Sequence, residues 1–172
     1  MDPACDGYSY WTIVDVMVPQ EGTYTGQGYL NAFWEVKQGG LTPEEFRRFN
    51  GPTAVLANLQ PESAIAASGD ACTAAFRISH FDAIPLAQVR LQWAVSAEGK
   101  TLASGSAGPF DAAPGSVLDV GACEFNVPEL DAPVQAVLEV RLEGLEISNA
   151  WDLWFFPKRA GRGGKGLAVT ED

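Results

Sequence analysis

Residues 87–95 read Ala-Gln-Val-Arg-Leu-Gln-Trp-Ala-Val, and residues 134–142 read Val-Gln-Ala-Val-Leu-Glu-Val-Arg-Leu. In the first stretch Val89, Leu91, Trp93 and Val95 alternate with Gln88, Arg90 and Gln92. In the second, Val134, Ala136, Leu138, Val140 and Leu142 alternate with Gln135, Glu139 and Arg141. Successive side chains of a strand point to opposite faces, so this period of two predicts strands with one dry and one wet face. Residues 72–80 repeat the pattern. Residues 150–156 are apolar on both faces, as a covered strand is. Weaker strand signals lie at 53–58, 62–66, 101–106 and 117–127. Turn-forming runs separate them: Ser68-Gly69-Asp70, Glu98-Gly99-Lys100, Ala113-Pro114-Gly115 and Asp131-Ala132-Pro133. About seven short strands with no helix between them predict a mainly β fold, an immunoglobulin-like antiparallel sandwich over 51–157. Trp93 is the expected core tryptophan. Antibody domains have a cysteine where the facing strand here offers Leu138, so the expected sandwich has no inter-sheet disulfide.

The first 50 residues differ. Tyr8 to Val18 form a dense apolar run broken by Asp15, which predicts a buried strand. A short helix is expected within Tyr29–Val36. Thr42-Pro43-Glu44-Glu45 is a helix start, with Thr42 as N-cap, Pro43 in the first turn and Glu45 at the capping-box position. That helix is expected over Pro43–Phe49, ending at Asn50-Gly51. Residues 158–172 hold four basic residues among clustered glycines, and read as a flexible basic tail. Three parts result: 1–50, 51–157 and 158–172.

The 172 residues carry 22 acidic and 11 basic side chains, a net charge of −11. That excess repels nucleic-acid backbones and anionic membranes. No apolar run reaches membrane-spanning length, and the acidic first residues lack a signal-peptide pattern, which leaves the compartment open. Cys5, Cys72 and Cys123 are too few and too widely spaced for a zinc pattern or a disulfide framework. They are expected as free thiols, with a Cys72–Cys123 pairing left open. His80, the lone histidine, lies on an apolar strand face, where a structural role is expected rather than that of a catalytic base. No metal or other cofactor is expected. Gly161-Arg-Gly-Gly-Lys-Gly166 lacks the Ser or Thr that completes a phosphate loop.

Gly7-Tyr-Ser-Tyr-Trp-Thr-Ile-Val-Asp15 resembles the eighth strand of the catalytic barrel in glycoside hydrolase family 2-like proteins, the β-galactosidase and β-glucuronidase kind. Thr25–Gly28, Asn31-Ala-Phe-Trp34 and Thr42–Phe49 resemble the loop and final helices of that barrel. The sandwich ending in Asn149-Ala-Trp-Asp-Leu-Trp-Phe-Phe-Pro157 resembles the immunoglobulin-like domain after it. The resemblance implies that the first 50 residues are the end of a TIM barrel. It places the two catalytic carboxylates on strands that would precede Met1, so no residue here inherits that role. It implies a non-catalytic accessory domain derived from a glycoside hydrolase.

A second reading is a carbohydrate-binding module. Its candidate residues are Trp11, Trp34, Trp154 and Phe156, for stacking on sugar rings, and Asp15, for bonding hydroxyls. A third is a hydrolase in its own right that uses Asp15 and another carboxylate. An apolar strand left without its barrel neighbours also predicts a homodimer through the N-terminal segment.

Overall fold

The computed structural model describes residues 9–18 and 23–158, in two units, 1–47 and 48–172. The expected basic tail lies almost wholly outside the described residues, as does Cys5. The chain is mainly β.

In the first unit, β1 (Val16–Val18) pairs antiparallel with β2 (Thr23–Thr25). The long buried strand expected over residues 8–18 is not formed. Only three residues join a ladder, a single bridge links Val14 to Leu30, and Trp11 and Ile13 are exposed. Among residues 9–16 the buried one is polar, Asp15. The helix expected within Tyr29–Val36 is also absent. The Asn31 side-chain oxygen accepts the N–H groups of Phe33 and Glu35 at 2.8 and 3.0 Å. It thereby takes up donors and holds a tight loop, with Trp34 in the left-handed region at φ 66°. Helix α1 (Pro43–Asn50) starts as expected. Glu45 N–H donates to Thr42 Oγ1 at 3.2 Å, and Thr42 N–H donates to Glu45 Oε2 at 2.8 Å. Those two bonds are a capping box.

The second unit holds β3 (Thr53–Leu59), α2 (Pro61–Ala64), β4 (Ile65–Ala67), β5 (Ala71–His80), β6 (Leu86–Ala97), β7 (Lys100–Ala112), β8 (Ser116–Asn126), β9 (Val134–Leu142) and β10 (Ser148–Phe156). They form a three-stranded sheet, β3-β5-β8, and a five-stranded sheet, β4-β10-β9-β6-β7. All pairings are antiparallel except β4 with β10, so the larger sheet is mixed. The strand expected over 62–66 is divided. Pro61 sets the first turn of α2, and only Ile65–Ala67 extend alongside β10.

Both sheets feed one core. Val55, Cys72, Phe76 and Ile78 come from the smaller sheet, and Leu91, Val95, Leu138, Leu142, Leu153 and Phe155 from the larger. Phe125 meets Phe155 edge to face at 6.0 Å. Each large apolar side chain withdrawn here contributes ~1.5–3 kcal/mol. Alternation along β9 and β10 therefore fixes which residues face out.

Trp93 is half-buried against this core rather than enclosed by it. It sits on β6 opposite Gly105 of β7, which is an edge strand with no neighbour beyond it in its sheet. A β-carbon at Gly105 would lie 2.7 Å from the indole. The glycine is the space in which the ring lies. Cys72 stands opposite Phe125, and Cys123 opposite Ala74, on adjacent strands. The two thiols are thus diagonal neighbours, typically ~7–8 Å apart and beyond disulfide reach, and both are free and buried. Burial pushes both thiols above their ordinary pKa.

Gly105→Ala is expected to cost ~1–3 kcal/mol in urea unfolding, the usual range for overpacking. In a Trp93→Ala background the same change should cost almost nothing. An equal cost in both backgrounds would contradict this packing.

Candidate functional site

The outer face of the five-stranded sheet carries a cluster of exposed polar and aromatic side chains. Pairing lays them out in rows. Ser106, Gln92, Arg141 and Ser148 form one, and Ser104, Ala94, Glu139 and Ala150 the next. Ser96, Val137 and Asp152 follow, then Gln135, Trp154 and Ile65.

The first two rows line a cleft of about 730 Å³ that Arg48 also borders. The Gln92 side-chain oxygen accepts both Nε and Nη2 of Arg141, at 3.0 and 2.7 Å. Three of the five guanidinium N–H groups remain for a ligand. Among the described residues neither Arg48 nor Arg141 has an ion pair.

The last row is apolar and polar at once. Trp154 is 47% exposed, Ile65 62%, and Phe156, two residues further along β10, 42%. The cover expected over Trp154 and Phe156 is therefore incomplete, while Leu153 and Phe155 between them are fully buried. Gln135, directly across from Trp154, donates to Asp152 Oδ1 at 3.1 Å. A half-exposed indole is thus flanked by two planar hydrogen-bonding side chains.

The other three sequence candidates lie in the first unit. Trp11 and Trp34 are 76% and 73% exposed. The Asp15 side chain is 2% exposed. Its Oδ1 accepts Gly28 N–H at 2.8 Å and Lys37 Nζ at 2.6 Å. Gly28 is required there, since a β-carbon would lie 2.4 Å from Asp15 N. Lys37 holds the carboxyl below its ordinary value of 3.8, against the opposing effect of burial, with the Gly28 N–H adding to the lowering. Asp15 is a clamp joining the strand, the Gly28 loop and Lys37. Nearby, Tyr10 and Tyr29 stack at 4.4 Å, and Phe46 meets Tyr29 edge-on at 5.5 Å.

His80 is fully buried, with Nδ1 2.8 Å from Thr53 Oγ1 and Nε2 3.0 Å from Ile84 O. Both ring nitrogens are occupied, as a structural histidine requires. Among the described residues no group of three His, Cys, Asp or Glu is placed to hold a metal ion, and no helix is long and apolar enough to cross a membrane.

Sequence reading identified Trp154 and Phe156, and it identified the outward positions of β6 and β9. It did not identify the cleft. Gln92, Glu139 and Arg141 are ordinary wet-face residues until strand register sets them beside each other and beside Ser104 and Ser106.

A family model described as Domain of unknown function (DUF8488) matches residues 70–157, which span β5 to β10. No curated protein matches the chain in sequence. Among solved structures, Bacillus subtilis sporulation control protein Spo0M aligns at 16% identity and TM-score 0.47, over 63% of this chain and 51% of that one. Pseudomonas fluorescens alkylpurine DNA glycosylase AlkC, bound to DNA containing an abasic site analog, aligns at 12% identity and TM-score 0.46, over 61% of this chain and 30% of that one. An engineered protein aligns at 11% identity and TM-score 0.35, over 62% of this chain and 20% of that one. The chain thus spans about half or less of the length of each.

The Asp15 clamp has a definite pH signature. A depressed carboxyl pKa contributes stability that is complete above 3.8 and is lost as pH falls through the lower native value. In a carboxyl NMR titration Asp15 should titrate below 3.8, and Lys37→Met should raise its midpoint. An unchanged midpoint in the variant would remove Lys37 as the cause.

Proposed function

The chain belongs to the family described as Domain of unknown function (DUF8488), and we propose that it is a non-catalytic accessory module with an immunoglobulin-like β-sandwich that binds carbohydrate. The observation that carries this reading is Trp154. It stands half-exposed on a sheet face, between an exposed Ile65 and the bonded pair Gln135–Asp152. A sugar ring offers apolar C–H groups on its faces and hydroxyls around its rim. An aromatic side chain covers the first, and planar amide and carboxylate groups bond the second. An apolar patch rimmed by polar groups marks an interaction surface. The two sheets sharing one core, and the resemblance of Asn149–Pro157 to the domain after a family 2-like glycoside hydrolase barrel, support the same reading.

Asp15 has no part in this function. Its carboxylate is committed to Gly28 and Lys37. Trp11 and Trp34 are exposed aromatics. Among the described hydrogen bonds Trp11 has no bonded pair of polar side chains beside it, and the pair in the loop of Trp34, Asn31 Nδ2 donating to Glu35 Oε2 at 2.9 Å, has its Asn31 side-chain oxygen already committed to the N–H groups of Phe33 and Glu35.

Trp154→Ala should weaken oligosaccharide binding at least about tenfold, a loss of ~1.4 kcal/mol, in calorimetric titration against a panel of tetrasaccharides. Because the side chain is half-exposed, the unfolding cost should stay well below the ~3–5 kcal/mol of a buried aromatic truncation. Undiminished binding by a folded Trp154→Ala protein would contradict the assignment.

A further inference from the structure

The geometry points to an acidic oligosaccharide as the ligand, with a carboxylate seated between Arg48 and Arg141 in the outer-face cleft and a sugar unit further along the chain on Trp154. This inference rests on the carbohydrate reading and deepens it.

Three observations lead there. First, Arg141 is oriented before any ligand arrives. Gln92 accepts from Nε and Nη2, which fixes the guanidinium plane and leaves its remaining donors unused. A fixed fork of this kind suits a carboxylate, which accepts two parallel N–H bonds.

Second, the cleft concentrates positive charge in an acidic chain. Acidic side chains outnumber basic ones 22 to 11. Yet among the described residues Arg48 and Arg141 both line one cleft without an ion pair. Glu139 is the one carboxylate lining it. It stands two residues from Arg141 on β9, on the same face, and can accept sugar hydroxyls, while Ser104 and Ser106 can donate or accept. The set matches a ligand that carries both an acid and hydroxyls better than it matches a bare anion.

Third, cleft and aromatic patch lie on one track. From Arg141 to Gln135, the cross-strand partner of Trp154, β9 advances six residues, or ~20 Å at the strand rise. One sugar unit cannot touch both ends, whereas an oligosaccharide lying along β9 and β10 can.

The test is calorimetric titration of the full chain with tetragalacturonate and with its methyl ester, which has the same backbone but no charge. The acid should bind about tenfold more tightly than the ester. Arg141→Gln and Arg48→Gln should each reduce the acid to the level of the ester. Arg141→Lys, which keeps charge but loses the fork, should fall between. Trp154→Ala should weaken acid and ester by the same factor. Thermal melts matching the parent protein would show that each variant is folded. Equal affinity for acid and ester, both lost in Trp154→Ala, would overturn this inference and leave the carbohydrate reading standing. Failure of both ligands to bind the folded parent protein would overturn the inference; failure of the whole neutral tetrasaccharide panel as well would overturn the carbohydrate reading beneath it.

Discussion

Strand alternation against a shared core is the constraint on which the second unit depends. Leu153 and Phe155 of β10, and Leu138, Val140 and Leu142 of β9, are withdrawn completely or nearly so from water. With those positions committed inward, Asp152, Trp154, Glu139 and Arg141 have only the outer face to occupy. A slip of one residue in register would exchange the two sets. It would cost the core several large side chains at ~1.5–3 kcal/mol each. The position of the candidate site is therefore as firmly set as the core.

The first unit is held by a different device. Its apolar residues have no large sheet to join, and many remain exposed. A carboxylate, a lysine and a backbone N–H are gathered around Asp15 instead. Its aromatic contacts, Tyr10 on Tyr29 and Tyr29 against Phe46, add packing beside the start of α1.

What the sequence made legible follows the same division. The runs at 72–80, 87–95 and 134–142 are strands because their period was unambiguous and a core existed to receive them. Thr42–Glu45 begins a helix because both capping bonds are local. Sequence and structure part where a segment's composition suits an element but no partner completes it. Residues 8–18 look like a buried strand, but a strand needs neighbours on its edges, and among the described residues only the three-residue β2 and a single bridge from Leu30 supply them. Residues 29–36 look helical until the Asn31 side chain takes the backbone N–H groups of Phe33 and Glu35. The alternation turns Trp93 inward, but its position opposite Gly105 on an edge strand leaves it half-covered. The exposed pair Trp154 and Phe156 was visible as a sequence feature. The arginine cleft was not, because it is assembled from register across β6, β7, β9 and β10.

On this reading the outer face of the five-stranded sheet is the ligand-binding surface. Amide and indole NMR shift mapping during titration with an oligosaccharide tests it most directly. Shifts should concentrate on Gln135, Asp152 and the Trp154 indole, extending toward Arg141 as the ligand lengthens. Shifts concentrated instead on Trp11 and Trp34, with the Trp154 indole unmoved, would contradict it.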